Sequence, residues 1–525
     1  MYYTVTKNKM YEKKYIYDVL YGAIYLPEYA WHVIFTPEVQ RLRELRLCNI
    51  NSLCLTGGAN INRFEHTLGT CHLALTNLDN GKYDISPHEK MLFVLATIFH
   101  DVYNAAFGHS LEYVEGVKPE SMFYDAATGR KHEAYQYRAA SFEPIYFGRL
   151  EELFNKIKEL KLREEDIKEI GDIINGKGKL GKLLSGTMDL DNIDNVCRLA
   201  YHMGIFNNKE LPLKLAKAIW IENNELRIDE ENIPLIKEWI NLRESFYKFL
   251  LLNPEEFSAK YMLTEAFELF QRQEDKEIGF AWYDADFQLL DKLSKTSSDV
   301  SNIVSNLMCG QLYGCIAIYT TIKTEKYRDF LNIKEREIVE KSISSLIKPE
   351  VVQTVYLSDK EQAIIRGIKG LTYFAEEKKL RLSFDIKDKI FNLLVDNELS
   401  SHKAMLTSMR DEAIVKYNKY KMKSPIIGVH PILDINKTNR KVDIKTSNNK
   451  SYELGYSSRD LHLAILLKNK EYINLDASEG NGSLKPENIE NIKQTVKEYL
   501  INFLDDTQII EHKLYSEITY GQTSN

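Results

Sequence analysis

An almost uninterrupted apolar helix ends on a histidine–aspartate pair. The segment MLFVLATIF, residues 91–99, carries no charge, so the helix predicted over 88–101 should be buried. His100 and Asp101 stand at its C-terminal end. Two further helical segments carry His66 and Asp191. Two imidazoles and two carboxylates form a mixed nitrogen and oxygen set that suits one divalent metal ion, with positions left for water and phosphate.

Helical spacing of apolar residues dominates from Pro37 to about residue 424. One helix should begin near Arg63 and carry His66. Further helices are predicted at 133–160, 164–175, 189–203, 210–220, 231–252, 255–273, 283–325, 331–350 and within 376–421. A short hairpin is predicted at 221–229. From Pro425 apolar and polar residues alternate between Asn, Gly and Lys turns, which predicts strands, and 487–504 has the pattern of an amphipathic helix.

The fold class predicted from these patterns is mainly α. We expect a short N-terminal arm at 1–30, a helical core at 31–330, a helical extension at 331–424 and a small α+β C-terminal domain at 425–525. A chain of 525 residues is too long for one simple core, so its length alone predicts two or three domains.

Composition narrows the class of partner. The net charge is −7, so a strongly basic face for nucleic acid is not indicated, and we do not expect nucleic acid as a partner. The six cysteines form no CxxC pair, which is typical of reduced thiols in a cytoplasmic protein. The first residues contain no apolar signal segment, and 91–99 reaches only half a membrane span, so we expect no membrane association.

Four segments carry a family resemblance: FTPEVQRLRELRL (35–47), RFEHTLG (63–69), HDVYNAAFGHSLE (100–112) and DLDNIDNVCRLAYHMG (189–204). A lone HD dipeptide is more often not a metal site. Together and in this order, the segments resemble the HD-domain superfamily of metal-dependent phosphohydrolases, and within it the deoxynucleoside triphosphate triphosphohydrolases. The resemblance covers roughly residues 15–330. It implies an HD-domain core and one divalent metal ion (Mn, Mg, Fe or Zn) held by His66, His100, Asp101 and Asp191.

The resemblance also implies catalytic residues. His109 and Glu112 are three residues apart and share a helix face, and a carboxylate beside an imidazole raises its basicity. They match the family's catalytic pair; the alternative is a helix pair of structural value. His132 matches a histidine near the substrate phosphates; the alternative is a surface histidine at a helix start.

Five residues are candidates for substrate contacts. Arg63 resembles a phosphate-binding arginine, although a helix N-terminal ion pair is the alternative. Arg243 and Tyr247 resemble a helix that closes over the nucleotide, or else form a charged face with a core tyrosine. Asn104 matches the bacterial branch of the family, and Asn195 stands where the family has an aromatic residue near the sugar.

Two apolar residues replace hydrogen-bonding ones at the expected sugar site. Leu199 and Leu47 align with the family's carboxylate and glutamine that read the 3′-hydroxyl, so the sugar preference should differ. Asp194 and Arg198, four residues apart on the Asp191 helix, are best explained as a structural ion pair.

The first functional hypothesis is a metal-dependent (deoxy)nucleoside triphosphate triphosphohydrolase that releases nucleoside and tripolyphosphate, compatible with nucleotide-pool control and antiviral nucleotide depletion. An HD phosphodiesterase acting on a cyclic or oligomeric nucleotide and a non-catalytic nucleotide sensor are the alternatives. The resemblance further implies a homo-oligomer and a nucleotide activator, for which Gln40 and Arg43 match positions in the animal enzyme.

Overall fold

The computed structural model describes residues 14–48, 60–102, 104–108, 159–251, 253–274, 284–347, 403–421, 425–432, 440–456, 461–468 and 486–512. The fold is mainly helical with a few small sheets, which confirms the predicted class. The chain divides into two compact units. The first unit comprises 1–312, 433–459 and 515–525, and the second unit comprises 313–432 and 460–514.

The helices of the described residues are α1 (Glu28–Ile34), α2 (Pro37–Gln40), α3 (Arg63–Leu78), α4 (Pro87–Phe99), α5 (Glu164–Ile174), α6 (Leu190–His202), α7 (Glu210–Ala218), α8 (Ile233–Leu251), α9 (Pro254–Glu274), α10 (Asp286–Ser294), α11 (Ser298–Met308), α12 (Thr324–Tyr327), α13 (Ile333–Leu346), α14 (Lys403–Lys421) and α15 (Pro486–Leu504). The strands are β1 (Tyr15–Asp18), β2 (Gly22–Tyr25), β3 (Ile219–Glu222), β4 (Glu225–Ile228), β5 (Gly314–Thr321), β6 (Ile427–Ile432), β7 (Val442–Thr446), β8 (Ser451–Leu454), β9 (Leu461–Leu467) and β10 (Ile510–His512).

Helix α4 is the apolar helix predicted from the sequence, and it is buried as expected. Every residue from Leu92 to Phe99 is buried. Its start is fixed by a capping box, in which Ser86 Oγ accepts from the Glu89 amide and Glu89 Oε2 accepts from the Ser86 amide at 2.6 Å. The helix ends at Phe99, so His100 and Asp101 directly follow its last turn. Among the described residues, no helix combines the length and apolarity needed to cross a membrane.

Helix α3 is the element around which the first unit's site is built. It packs against α4, α6 and α7. Its N-terminus is capped by Asn62, whose side chain accepts from the Glu65 amide at 3.0 Å. The predicted helix start near Arg63 is confirmed.

A mixed sheet in the first unit joins strands from distant parts of the sequence, in the order β3-β4-β7-β8. The predicted hairpin at 221–229 is β3–β4, and its turn residues Asn223 and Asn224 both have positive φ, as a two-residue hairpin turn requires. Strand β4 pairs in parallel with β7, which pairs antiparallel with β8. Residues 440–456 are thereby attached to the first unit.

The second unit contains an antiparallel sheet in the order β10-β5-β9-β6. Helices α13 and α15 pack against it and against each other. Alternate residues of the strands, such as Tyr319, Val429 and Ile465, point into an apolar core that Ile343 and Val496 complete from the helices. The amphipathic helix predicted over 487–504 is α15.

The single helix predicted over 283–325 is wrong. The chain forms α10, α11 and then strand β5. Gly310, with φ of +68°, follows α11. Strand β5 is buried along most of its length, so its residues are apolar without alternation. Such a run cannot be distinguished from a buried helix by periodicity alone.

The predicted domain boundaries stay a prediction, but strand pairing groups the chain differently. The C-terminal segment 425–525 is shared, because β7 and β8 belong to the first unit and β6, β9 and β10 belong to the second. Strand β5 lies inside the predicted core at 31–330, yet it pairs with β9 and β10.

Candidate metal centre

Three segments of the first unit bring the four predicted ligands together. His66 lies one turn into α3, His100 and Asp101 follow the last turn of α4, and Asp191 lies in the first turn of α6. Because α3 packs against both α4 and α6, the three segments meet at one point.

The four side chains converge on a small space. His66 Nε2 lies 2.8 Å from Asp191 Oδ1 and 3.4 Å from His100 Nε2. Asp101 Oδ2 lies 3.7 Å from His100 Nε2 and 3.9 Å from His66 Nε2. Ligand atoms of His66, His100 and Asp101 all lie within 4.8 Å of one another, so these residues could hold a metal ion, with Asp191 beside both imidazoles.

These separations fit one divalent ion. Metal–ligand bonds of about 2.1 Å place neighbouring donor atoms about 3 Å apart and opposite ones about 4 Å apart. Imidazole nitrogen suits zinc and iron, and carboxylate oxygen suits manganese and magnesium. The donor set therefore agrees with each of the four predicted ions and does not select among them.

Both imidazoles are oriented with Nε2 toward the centre. His100 Nδ1 donates to the Thr97 carbonyl oxygen at 2.8 Å, and His66 Nδ1 lies 2.8 Å from Asp194 Oδ2. Since a carbonyl or carboxylate can only accept, Nδ1 carries the proton in each ring. Such partners fix the tautomer and leave the Nε2 lone pair for coordination.

Asp194 belongs to a buried network behind His66. Arg198 Nε donates to Asp194 Oδ2 at 3.0 Å, which confirms the predicted ion pair, and Arg198 Nη1 donates to Asp18 Oδ2 at 2.7 Å. Tyr21 donates its hydroxyl to Asp194 Oδ1 at 2.7 Å. The contact between Asp194 and His66 was missed from the sequence. The available signal was the spacing of three residues from Asp191, which places both carboxylates on one helix face.

Each charged group of the network stabilises the ionised form of its neighbours. Burial lowers the pKa of His66, but its hydrogen bonds to Asp191 and Asp194 outweigh burial and raise the pKa to about 10. Without a metal ion both ring nitrogens are therefore protonated at neutral pH, and a bound metal ion would displace the Nε2 proton. Burial raises the pKa of Asp194, but Arg198 and His66 more than offset it, so the pKa lies below its usual range. Asp191 behaves likewise, with His66 as the main opposing cause. Both carboxylates therefore stay ionised, and that of Asp191 can coordinate a cation.

Two motif glycines are required by close packing around this network. A Cβ atom at Gly69 would overlap the Asp194 carboxylate and the Arg198 guanidinium. Gly108 has φ of +52°, and a Cβ atom there would overlap the Arg63 guanidinium. Both positions are thus tied to groups that hold the predicted ligands.

Arg63 and Asn104, predicted to contact substrate, both lie against Asp101. Arg63 Nη1 is 2.9 Å from Asp101 Oδ1, and Asn104 Nδ2 donates to the same oxygen. These contacts leave Oδ2 as the oxygen that faces the two imidazoles. A direct phosphate contact for either residue stays a prediction.

The other described candidates surround the start of α6. Arg243 and Tyr247 lie on α8, which packs against α6. Arg243 Nη1 donates to Asn192 Oδ1 at 3.0 Å, and the Arg243 guanidinium lies 4.6 Å from the Tyr247 ring centre. Asn195 Oδ1 is buried without a hydrogen-bond partner among the described residues. Arg243 therefore contacts the residue that directly follows the predicted ligand Asp191.

The three residues predicted to be catalytic, His109, Glu112 and His132, lie outside the described residues, and their roles stay predictions. Gln40 and Arg43, predicted to contact an activator, bond to each other through Arg43 Nε and Gln40 Oε1 at 2.8 Å.

Arg440 was missed from the sequence altogether. Its Nη1 donates to Asn192 Oδ1 at 3.2 Å, beside Arg243. No local pattern could have identified this residue, because it reaches the site only through the pairing of β7 with β4.

No protein-family model matches the chain. Over 257 residues the chain is 27% identical to an uncharacterized protein of Methanocaldococcus jannaschii, covering 48% of this chain and 49% of that protein. It is 27% identical over 288 residues to the deoxynucleoside triphosphate triphosphohydrolase SAMHD1 of Homo sapiens, and the match covers 48% of this chain and 44% of that protein. It is 24% identical over 272 residues to the SAMHD1 homolog of Dictyostelium discoideum, and the match covers 48% of this chain and 49% of that protein. The chain spans about half the length of these curated relatives.

Among solved structures, a phosphohydrolase from Bacteroides thetaiotaomicron superposes with a TM-score of 0.51 at 14% identity, covering 86% of this chain and 99% of that one. This likeness concerns the fold. The resemblance inferred from the motifs is confirmed by the curated relatives: over about half of its length, the chain is similar to the deoxynucleoside triphosphate triphosphohydrolases of the HD-domain class.

Proposed function

We propose that this chain is a metal-dependent phosphohydrolase that cleaves nucleoside triphosphates to nucleoside and tripolyphosphate. The observation that carries the proposal is the convergence of His66, His100, Asp101 and Asp191 from three separate segments, with both Nε2 atoms turned inward. A sensor that only binds nucleotide does not need four metal-ligating groups, so we favour an enzyme.

Each residue around the centre has a distinct part in the proposal. A divalent ion held by the four ligands would polarise the phosphoryl group and stabilise the charge that develops on it. Asp194 keeps His66 in the coordinating tautomer, and Arg63 orients the Asp101 carboxylate. We assign the proton transfer to His109 with Glu112, and the substrate phosphates to His132 and Arg243.

The substrate class follows from the relatives and from charge. Two curated relatives are named as deoxynucleoside triphosphate triphosphohydrolases. The buried guanidinium of Arg243 suits a phosphate group. Leu47 and Leu199 are buried and offer no hydrogen bond to a 3′-hydroxyl, so we expect a changed sugar preference. The same proposal includes a role in the control of nucleotide pools, for example antiviral depletion of nucleotides. It also includes regulation by a nucleotide activator and assembly as a homo-oligomer.

The test is a screen of the full chain with Mn²⁺ and each dNTP and NTP, singly and mixed, in which released tripolyphosphate is measured by ion chromatography. The Asp101→Ala and His109→Ala variants should abolish release. Asp299→Ala, which removes an exposed carboxylate at the start of α11, is the matched control and should retain it.

Different outcomes separate the alternatives. Tripolyphosphate release that both variants abolish supports the proposal and reveals the base and sugar preference. Release of a nucleoside monophosphate instead, from cyclic or oligomeric nucleotides, would replace it with a phosphodiesterase. Absence of both hydrolysis and bound metal would overturn it in favour of a sensor.

A further inference from the structure

The first unit contains a second guanidinium beside the metal centre, contributed by Arg440 just before β7. Arg440 Nη1 donates to Asn192 Oδ1 at 3.2 Å, and Arg440 Nη2 donates to the Gly186 carbonyl oxygen. Asn192 follows the predicted ligand Asp191 in the first turn of α6. Strand pairing of β7 with β4 therefore brings a cation from the C-terminal part of the sequence to the site.

Arg440 and Arg243 share a single acceptor. Arg243 Nη1 donates to the same Asn192 Oδ1, at 3.0 Å. Two like charges that meet on one neutral amide repel each other unless an anion lies between or beside them. Arg243 is only 2% exposed, and its Nε has no hydrogen-bond partner among the described residues. Burial of a guanidinium cation without a nearby negative charge costs free energy of folding.

Two other buried arginines of the first unit have a carboxylate in direct contact. Arg198 contacts Asp18 at 2.7 Å and Asp194 at 3.0 Å, and Arg227 contacts Glu222 at 2.9 Å. In contrast, no carboxylate oxygen of the described residues lies within 4.0 Å of Arg243 or Arg440. Neither Arg243 nor Arg440 therefore has the direct carboxylate contact that Arg198 and Arg227 have.

The acidic residue whose charge acts on both arginines, Asp189, already accepts hydrogen bonds from the backbone. Asp189 is the N-cap of α6, where its Oδ1 accepts from the Asn192 amide at 2.7 Å and its Oδ2 accepts from the Gly186 amide at 2.8 Å. Asn192 Nδ2 also donates to Asp189 Oδ1. Asp189 thus fixes the same Asn192 and Gly186 that hold Arg440. Its charge acts on both guanidinium groups from beyond 4.0 Å, and its oxygens are occupied by the amides of α6 and Gly186.

We propose that Arg440 and Arg243 form a polyphosphate subsite beside the metal centre, which binds substrate phosphates beyond the one held at the metal. An arginine has five N–H donors, and Arg440 uses two of them on described residues. The remaining donors can bind phosphate oxygens in the bidentate manner that guanidinium groups favour. The inference rests on the proposed function and adds to it a residue that selects triphosphates over monophosphates.

The test measures binding of inorganic tripolyphosphate and of orthophosphate to the full chain by calorimetry, with saturating Mn²⁺ at constant ionic strength. Arg440→Gln should weaken tripolyphosphate binding by about 10- to 100-fold, the range expected for charge-assisted hydrogen bonds, and orthophosphate binding much less. Arg440→Lys keeps the charge and should retain part of the affinity. The matched control is Lys441→Gln, which removes the neighbouring charge from its pair with Glu453.

A purely structural role for Arg440 would lower thermal stability in the Gln and Lys variants alike and leave tripolyphosphate affinity equal to that of Lys441→Gln. That result would overturn the inference even if the chain hydrolyses triphosphates. Conversely, Arg440-dependent tripolyphosphate binding without hydrolysis of any nucleotide would sustain the subsite and refute the proposed function. If hydrolysis occurs, Arg440→Gln should raise KM for the triphosphate more than it lowers kcat.

Discussion

Replacing Asp194 by asparagine tests whether the network behind His66 controls metal binding. Asp194 is fully buried and receives hydrogen bonds from His66 Nδ1 at 2.8 Å, Arg198 Nε at 3.0 Å and the Tyr21 hydroxyl at 2.7 Å. Asparagine preserves the shape but removes the charge. Its amide can present NH₂ to His66, which would favour the tautomer with the proton on Nε2 and block coordination.

The expected magnitude follows from two separate effects. Loss of a partner that orients a ligating histidine lowers metal affinity by about 10- to 100-fold, or about 1.4–2.7 kcal/mol. Removal of one partner from a buried ion pair costs about 3–5 kcal/mol of stability. Because Arg198 keeps its contact with Asp18 at 2.7 Å, we expect the stability cost to lie near the lower limit, about 3 kcal/mol.

Calorimetric titration with Mn²⁺ gives the metal affinity, and urea unfolding in the presence of a chelator gives the stability without metal. Asp18→Asn is the matched control, since it removes the other carboxylate from Arg198 and leaves the contact between Asp194 and His66 intact. Both variants should lose stability, and only Asp194→Asn should lose metal affinity. An equal loss of affinity in the two variants, or none in either, would refute the reasoning.

Two further predictions concern packing and pH. Gly69→Ala should lower both the unfolding free energy, by about 1–3 kcal/mol, and the Mn²⁺ affinity, because the methyl group displaces Asp194; an unchanged Tm would contradict this. Burial raises the pKa of Asp166, but Arg163 and His88 lower it below the usual range. Its stabilisation is therefore complete above about pH 4 and is lost as the pH falls below that value. Between pH 5 and 2, the urea midpoint of unfolding should fall less steeply in Asp166→Asn than in the unmodified protein. An equal pH dependence of the two midpoints would contradict this prediction.

The helical part of the fold could be predicted because its signals are local. The apolar run of α4, its capping box and the N-cap of α3 all lie within a few residues of the helix they define. Strand β5 could not be predicted in this way. It is apolar because β9 and β10 flank it and helices cover it, and those partners lie more than a hundred residues away.

The same distinction between local and distant signals decides which residues of the site could be predicted from the sequence. The four predicted ligands are recognisable from short motifs, and the structure brings them together. The role of Asp194 was hidden, since an ion pair with Arg198 four residues away already accounted for it. Arg440 lies 248 residues from Asn192, so only the parallel pairing of β4 and β7 reveals it.

The exposure of the ligand groups indicates the side from which a substrate reaches the centre. The side chains of His66, His100 and Asp101 are 2%, 9% and 10% exposed, whereas that of Asp191 is 32% exposed. The accessible side of the centre is therefore the side of Asp191. The adjacent residue is Asn192, which holds both Arg243 and Arg440. Under the proposed function, a chain of phosphates that enters beside Asp191 would meet the two guanidinium groups there, so the metal and the proposed polyphosphate subsite would share one entrance.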